Sequence, residues 1–496
     1  MKLLSKIVLL AIVVLNTVEI LGQETNKKWK PDNFYCGFYI YNTPKEKDIK
    51  KMSEAGFNLL YTVGSLRKNK KYWWQSEEKE FIATLKLAKK YNLKIVVQSE
   101  EAYLVPSHTK KIVRENLLPK AVAFYKKYSK EPEFLAYAIK EEPKPKLLPM
   151  ISFYYKELKK KIPNCKLFII HNNTKSASLQ PKPYPNIMGH DSYPFYWGWN
   201  TYGYMGLTTP SLALYWFRQR CLFFEKVSKK RSVPMVTVFT CQPVWEERLN
   251  ASNKLFQKKV KYIKEFVKQK RAGWLYNKKL NLYTHPSWYR APKNCTRAMA
   301  WIAVMEGSKM LFHWNWSKDK IMPKEKMFKK SFSLRINNEQ FEEYAEACRF
   351  FRKHEKIIMP MKKLNKSIVD CKDNSLYHST NEILKDGKII VLVNTDVGSW
   401  NGGKRKYLKK GDFFKLTADG ILKGYVPEKS EKIFTFTIDS KNQDEKLWDI
   451  ENDKILTKST KGDYTVSIKP GGGVFLFLGT SNNYKKIKSN KGRGIK

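Results

Sequence analysis

The feature that most constrains this chain is an alternation. From Asp32 to about residue 345, short apolar runs take turns with stretches whose apolar residues recur at helical spacing. Runs starting at Cys36, Phe57, Leu93 and Phe134 read as four strands, and runs starting at Lys166, Asn186, Pro234 and Lys309 as four more. Helices are expected over 46–54, 78–91, 110–128, 147–160, 211–227, 294–306 and 338–354. Repeated strand–helix units favour a parallel sheet, and eight of them favour a closed (β/α)8 TIM barrel over an open doubly wound sheet. No GxGxxG follows a strand, which weakens a dinucleotide-binding reading. The stretch 246–290 exceeds an ordinary loop and reads as an insertion with its own helix near 254–268.

The helical pattern stops near residue 360. Apolar runs at Ile389, Ile433, Lys446, Tyr464 and Gly471 are separated by turn residues, which predicts an all-β sandwich domain. The expected organisation is a barrel over 23–360, a β-sandwich over 361–480 and a basic, disordered tail over 481–496.

Residues 1–22 match a secretory signal peptide. Lys2 and Lys6 precede the apolar run from Ile7 to Leu15, which Asn16, Thr17 and Glu19 interrupt. That run is too short to span a bilayer, so no stable membrane span is expected after cleavage, and the location is secreted or periplasmic. The compartment bears on the charge. The chain carries 94 Lys+Arg against 46 Asp+Glu, a formal charge of +48. Such an excess suits an anionic partner. Export and the lack of a zinc-finger or RNA-binding signature disfavour nucleic acid, leaving an anionic or sulfated polysaccharide as the natural guess. The basic residues are nonetheless dispersed along the chain, which also fits a solvated surface. The seven cysteines are far apart, without CxxC, so neither a zinc site nor a disulfide scaffold is indicated. Asn250, Asn294 and Asn315 begin glycosylation acceptor patterns.

A (β/α)8 barrel builds its site at the C-terminal ends of its strands. The third strand delivers Glu100 and Glu101, the fourth Glu141 and Glu142, and the fifth His171 and Asn172. The sixth delivers His190, Asp191, Tyr193 and Trp197, the seventh Gln242, and the eighth His313, Trp314 and Trp316. Aromatic faces stack on sugar rings, amides and acids bind hydroxyls, and glycoside hydrolysis needs two carboxylates. No HExxH or tight His-x-His motif is present, so no catalytic metal and no cofactor are expected.

At these residues the chain resembles a family. Glu141-Glu142-Pro143 is similar to the Asn-Glu-Pro or Asp-Glu-Pro motif of clan A glycoside hydrolases. His190-Asp-Ser-Tyr-Pro194, Arg290 to Arg297 and the Pro-Gly-Gly-Gly turn near residue 471 resemble segments of secreted members of that group. The resemblance implies that Glu142 is the acid/base and that Glu141 stands where the motif has Asn or Asp. It also implies a nucleophilic Glu at the end of strand seven, where this chain carries Gln242. Asp191 or Glu246 is then the candidate second carboxylate. Glu141, Glu100, Asn172, His190, Tyr193, Trp197, Gln242 and Trp316 are the candidate substrate-binding residues. A secreted glycoside hydrolase is the leading expectation. A non-catalytic carbohydrate-binding barrel and a basic adhesin are the alternatives.

Overall fold

The computed structural model describes residues 31–489 except 32, 41–43, 70–75, 196–209, 241–248, 251–274, 278–281, 285–290, 315–337, 385–386, 401–424, 441 and 443. The apolar runs become parallel strands β1 (Tyr35–Ile40), β2 (Leu59–Gly64), β3 (Lys94–Ser99), β4 (Phe134–Glu141), β5 (Leu167–His171), β6 (Ile187–Ser192), β7 (Met235–Thr240) and β8 (Ser308–Trp314). β1 pairs in parallel with both β2 and β8, so the sheet closes into a barrel. Each strand is followed by a helix: α1 (Glu46–Glu54), α2 (Glu78–Lys90), α3 (Leu118–Tyr128), α4 (Leu148–Lys161), α5 (Thr174–Leu179), α6 (Pro210–Arg231), α7 (Cys295–Met305) and α8 (Asn338–Lys353). The helix expected near 254–268 lies outside the described residues.

Closure buries both faces of each strand, which is why the strands read as near-continuous apolar runs. Tyr39, Tyr61, Val96, Ala138, Phe168, Ile170 and Phe312 fill the barrel interior. Phe38, Leu60, Val97, Ile169 and Met188 point the other way, under the helices. Helix α5 was not expected: its six residues carry no apolar stripe, and it starts because the Asn173 side chain accepts from Ser176 N at 2.6 Å. Five of the six described cysteines are buried, and all six are free thiols.

Beyond the barrel, among the described residues, lie two larger antiparallel sheets, as expected of a sandwich, and a two-stranded pair, Gly398–Trp400 with Tyr425–Pro427. One has six strands, with Gly387–Asn394 and Gly473–Gly479 at its centre. The other has three, Val369–Asp370, Lys432–Ile438 and Tyr464–Ile468. Ile390, Leu392, Leu476 and Leu478 meet Phe434, Phe436 and Val466 between the sheets. Ile389, Val391, Phe475 and Phe477 face the barrel helices instead. Helix α7 is the element they meet: every residue from Cys295 to Met305 except Arg297 is buried, and Trp301 packs edge-on against Phe475 at 5.4 Å.

The Pro-Gly-Gly-Gly turn has its reason at this joint. Gly471 has φ +70, and a Cβ there would overlap the Asn294 carbonyl, while one on Gly473 would overlap the Trp301 ring. Asn294 itself is 3% exposed, and its Nδ2 donates to the carbonyls of Val397 (3.1 Å) and Glu428 (2.9 Å). The acceptor pattern at Asn294 is therefore closed to glycosylation in the folded chain. Glu306, fully buried, joins the two parts by pairing with Arg218 Nε of α6 at 2.8 Å and with Lys363 of the six-stranded sheet.

The expectation of a disordered tail needs correction over 481–489, and residues 490–496 lie outside the described residues. Ser481–Ser489 is a helix whose Tyr484 stacks on Trp448 at 4.1 Å and whose Ile487 is buried. These two side chains, three apart, supply the apolar face that the polar composition hid. Among the described residues no helix is long and apolar enough to cross a membrane.

Candidate active site

The strand ends converge through a local irregularity in β4. Its register with β5 slips between Ala138↔Phe168 and Glu141↔Ile170, so three steps on β4 match two on β5. Ala136 and Ala138 face inward. Strict alternation would turn Lys140 inward next, and the extra residue gives that place to Glu141. Lys140 Nζ instead donates to Tyr103 Oη at 2.6 Å and lies over that ring at 4.2 Å.

Glu141 enters a ring of interior aromatics. Tyr39 and Tyr61 stack at 4.1 Å, and both hydroxyls favour the ionised form of its carboxyl. The Tyr61 hydroxyl also lies 3.0 Å from Gln98 Oε1. Burial pushes the Glu141 carboxyl up to about 7, aided by the charge of Glu142 and opposed by the tyrosine hydrogen bonds and Lys140. The residue keeps some solvent contact, while its carboxyl is densely surrounded.

Glu142 leaves the strand in a left-handed conformation, φ +45, directly before Pro143. That region disfavours a side chain carrying a Cβ, and strain of about 1–3 kcal/mol is typical of such positions. The conformation is held by Glu142 N donating to the Ile170 carbonyl at 2.9 Å. Asn172 Nδ2 donates to Glu142 Oε2 at 3.0 Å, and Asn173 Nδ2 donates to Asn172 Oδ1 at 2.9 Å. Ser176 on α5 ties this loop to β4 by donating to the Pro143 carbonyl.

Asp191 completes the centre. It is 3% exposed, and its carboxyl is hydrogen-bonded to that of Glu142. Two carboxyl groups can share such a bond only when one is protonated. Burial raises the affinity of Asp191 for its proton, with the hydrogen bond and charge of Glu142 adding to it, so Asp191 is the protonated partner. Arg220 and the Tyr193 hydroxyl act in the opposite sense. The Tyr193 ring lies 5.9 Å from that of Trp314.

The expected site residues divide clearly. Glu141, Glu142, Asn172, Asp191 and Tyr193 come together at the barrel mouth. Glu100 gives one oxygen to Arg67 (3.2 Å) and the other to Ser76 N (2.8 Å), pinning the loop after β2. His190 is corrected: it is fully buried on the outer side of β6, 3.0 Å from Thr237 Oγ1 and stacked on Phe224 at 4.6 Å. Adjacent strand residues face opposite ways, so Asp191 inward means His190 outward. Trp197, Gln242, Glu246 and Trp316 lie outside the described residues.

Sequence reasoning missed Tyr39, Tyr61 and Arg220. The tyrosines sit on strand interiors, where the sequence gives only an apolar run. Arg220 lies on a helix rich in basic residues and donates to the Asn172 carbonyl. Among the described residues no group of three or more His, Cys, Asp or Glu is arranged to hold a metal ion. The arrangement that remains is an acid pair sharing a proton, a second raised acid, and aromatic and amide groups around them. It can give or take a proton beside a hydroxylated ligand.

A scan of family models finds no match to the sequence, and a search of curated proteins finds none either. Solved structures do match. A glycoside hydrolase is similar over 90% of this chain and 93% of its own, at 10% identity and a TM-score of 0.50. A family 5 glycoside hydrolase from Bacteroides vulgatus covers 90% of this chain and 89% of its own at 10% identity, with a TM-score of 0.47. Alpha-galactosidase I from Mortierella vinacea covers 90% and 97% at 10% identity, with a TM-score of 0.45. At such identity the likeness concerns the fold alone, a (β/α)8 barrel followed by a β-domain, which this chain shares with that glycoside hydrolase.

Proposed function

We propose that this protein is a secreted glycoside hydrolase cleaving bonds in a polysaccharide or oligosaccharide, with Glu142 as general acid/base. The observation that carries the reading is the Glu142–Asp191 pair at the strand ends, with one proton between two carboxyls. In the reaction that proton passes to the leaving glycosidic oxygen. Retaining enzymes hold their two carboxyls about 5–5.5 Å apart and inverting ones about 6.5–9.5 Å. Direct contact is closer than either, so in the free protein the pair acts as one acid. Sugar entering against Glu142 separates the two, the proton passing from Asp191 to Glu142, so that Asp191 is left as the second carboxylate, and Glu246 is the other candidate. Tyr193, Trp197 and Trp316 are proposed stacking surfaces. Asn172, Gln242 and Glu141 are proposed polar contacts. The formal charge of +48 favours an anionic chain as substrate.

The closed contact of the pair also fits a second reading, a barrel that binds carbohydrate without cleaving it. A panel of neutral and sulfated polysaccharides, assayed for reducing ends and for binding, separates the two. Glu142→Gln is expected to abolish hydrolysis while keeping the fold and much of the binding. Full activity in that variant refutes the assignment of Glu142. Binding without cleavage by the unaltered protein favours the second reading.

A further inference from the structure

Arg220 reaches the acid pair from outside the barrel wall. It stands on α6, the helix returning from β6 to β7, and donates an η N–H to the backbone carbonyl of Asn172. Asn172 in turn donates its side-chain amide to Glu142 Oε2 at 3.0 Å. The same guanidinium interacts electrostatically with Asp191, Tyr193 and Glu142. Its Nε is buried and has no hydrogen-bond partner among the described residues. A guanidinium seated beside two acids with an incomplete hydrogen-bond set is held there by charge as well as by geometry.

Arg220 is the cation that acts on Asp191, while Lys140 acts on Glu141 and Glu142. Lys140 from β4 is the second cation nearby, and its Nζ is committed to Tyr103 Oη. Glu141 from β4 adds a further acid. Tyr193 lies beyond β6, Trp314 ends β8 and Cys221 follows Arg220 on α6. His171 and His190 are fully buried and pack toward Phe224 of α6. One guanidinium matches the single negative charge of a pair that shares one proton, while Lys140 faces Glu141 and Glu142.

We propose that Arg220 is a positioning residue that keeps the Glu142–Asp191 pair singly protonated and holds Asn172 as the arm orienting Glu142. The proposal deepens the glycosidase reading of this site, yet its first test needs no substrate. The pair's apparent pKa values are read by carbon NMR of protein labelled at the Asp and Glu carboxyls. Arg220→Gln keeps a donor for the Asn172 carbonyl and removes the charge. It should raise the lower apparent pKa by about one unit or more, the usual effect of losing an opposite charge within about 4–6 Å. Arg220→Lys keeps the charge and should leave the titration close to that of the unaltered protein.

An unchanged titration in a folded R220Q overturns the proposal. A shift of a full unit in R220K overturns it too, and R220K alone decides if R220Q does not fold. In the active enzyme the acid limb of the pH–rate profile should move with the NMR value, which a merely structural role for Arg220 would not produce. If no polysaccharide is cleaved the glycosidase reading fails, while the titration still decides the role of Arg220.

Discussion

Glu343 allows the energetics of the joint between barrel and β-domain to be tested through pH alone. It lies on α8, is 4% exposed, and accepts hydrogen bonds from Asn294 N at 2.5 Å and Arg297 N at 3.3 Å. Burial pushes its carboxyl from the ordinary 4.5 up to about 7, against the opposing hydrogen bonds and the charge of Arg297. Below pH 4.5 both folded and unfolded chains hold the proton. Between 4.5 and 7 the unfolded chain releases it first, so stability is lost as pH rises through that window and stays lost above it. A rise from 4.5 to about 7 corresponds to about 3 kcal/mol. Glu343→Gln cannot ionise. Its unfolding free energy relative to the unaltered protein should therefore improve by about 3 kcal/mol between pH 4.5 and pH 8. Urea unfolding at the two pH values measures this, and the titration of every other group cancels in the difference. A difference of equal size at both values refutes the reasoning.

Glu306→Gln removes the buried acid between Arg218 and Lys363 and should cost about 3 kcal/mol by urea unfolding, the lower end of the range for breaking a buried pair, because Arg218 keeps 24% of its side-chain exposure. Equal stability would mean that water already serves these cations. Glu142→Gly should be inactive yet about 1 kcal/mol more stable than Glu142→Ala, since glycine adopts φ +45 freely. Thermal unfolding of the two variants checks this, and an alanine variant as stable as the glycine one would show that the conformation carries no strain.

The barrel was legible because each strand is buried on both faces, so eight apolar runs stood out between amphipathic helices. Asp191 was legible as a strand-end acid, and parity along β6 already implied that His190 faced the other way. Helix α5 was not legible, because its six residues hold one large apolar side chain, Leu179, and so carry no period, and only the Asn173 cap marks its start. The partnership of Arg220 was hidden for a different reason. A basic residue on a basic helix looks like solvated surface until the fold sets it beside acids from β4 and β6. The joint with the β-domain left only its glycines in the sequence, and their cause, the Asn294 carbonyl and the Trp301 ring, lies elsewhere in the chain.

The slip in β4 makes the polarity of the barrel mouth a matter of counting. Lys140 and Glu141 are neighbours, and the extra residue between Ala138 and Glu141 decides which of them the interior receives. Deleting either residue between Ala138 and Glu141 would set two steps against two, remove the slip and leave the Glu141 carboxylate facing inward. A descendant of this chain could thus shed Lys140 through a three-nucleotide loss and keep its acidic centre, a step that no point substitution scan of the site would sample.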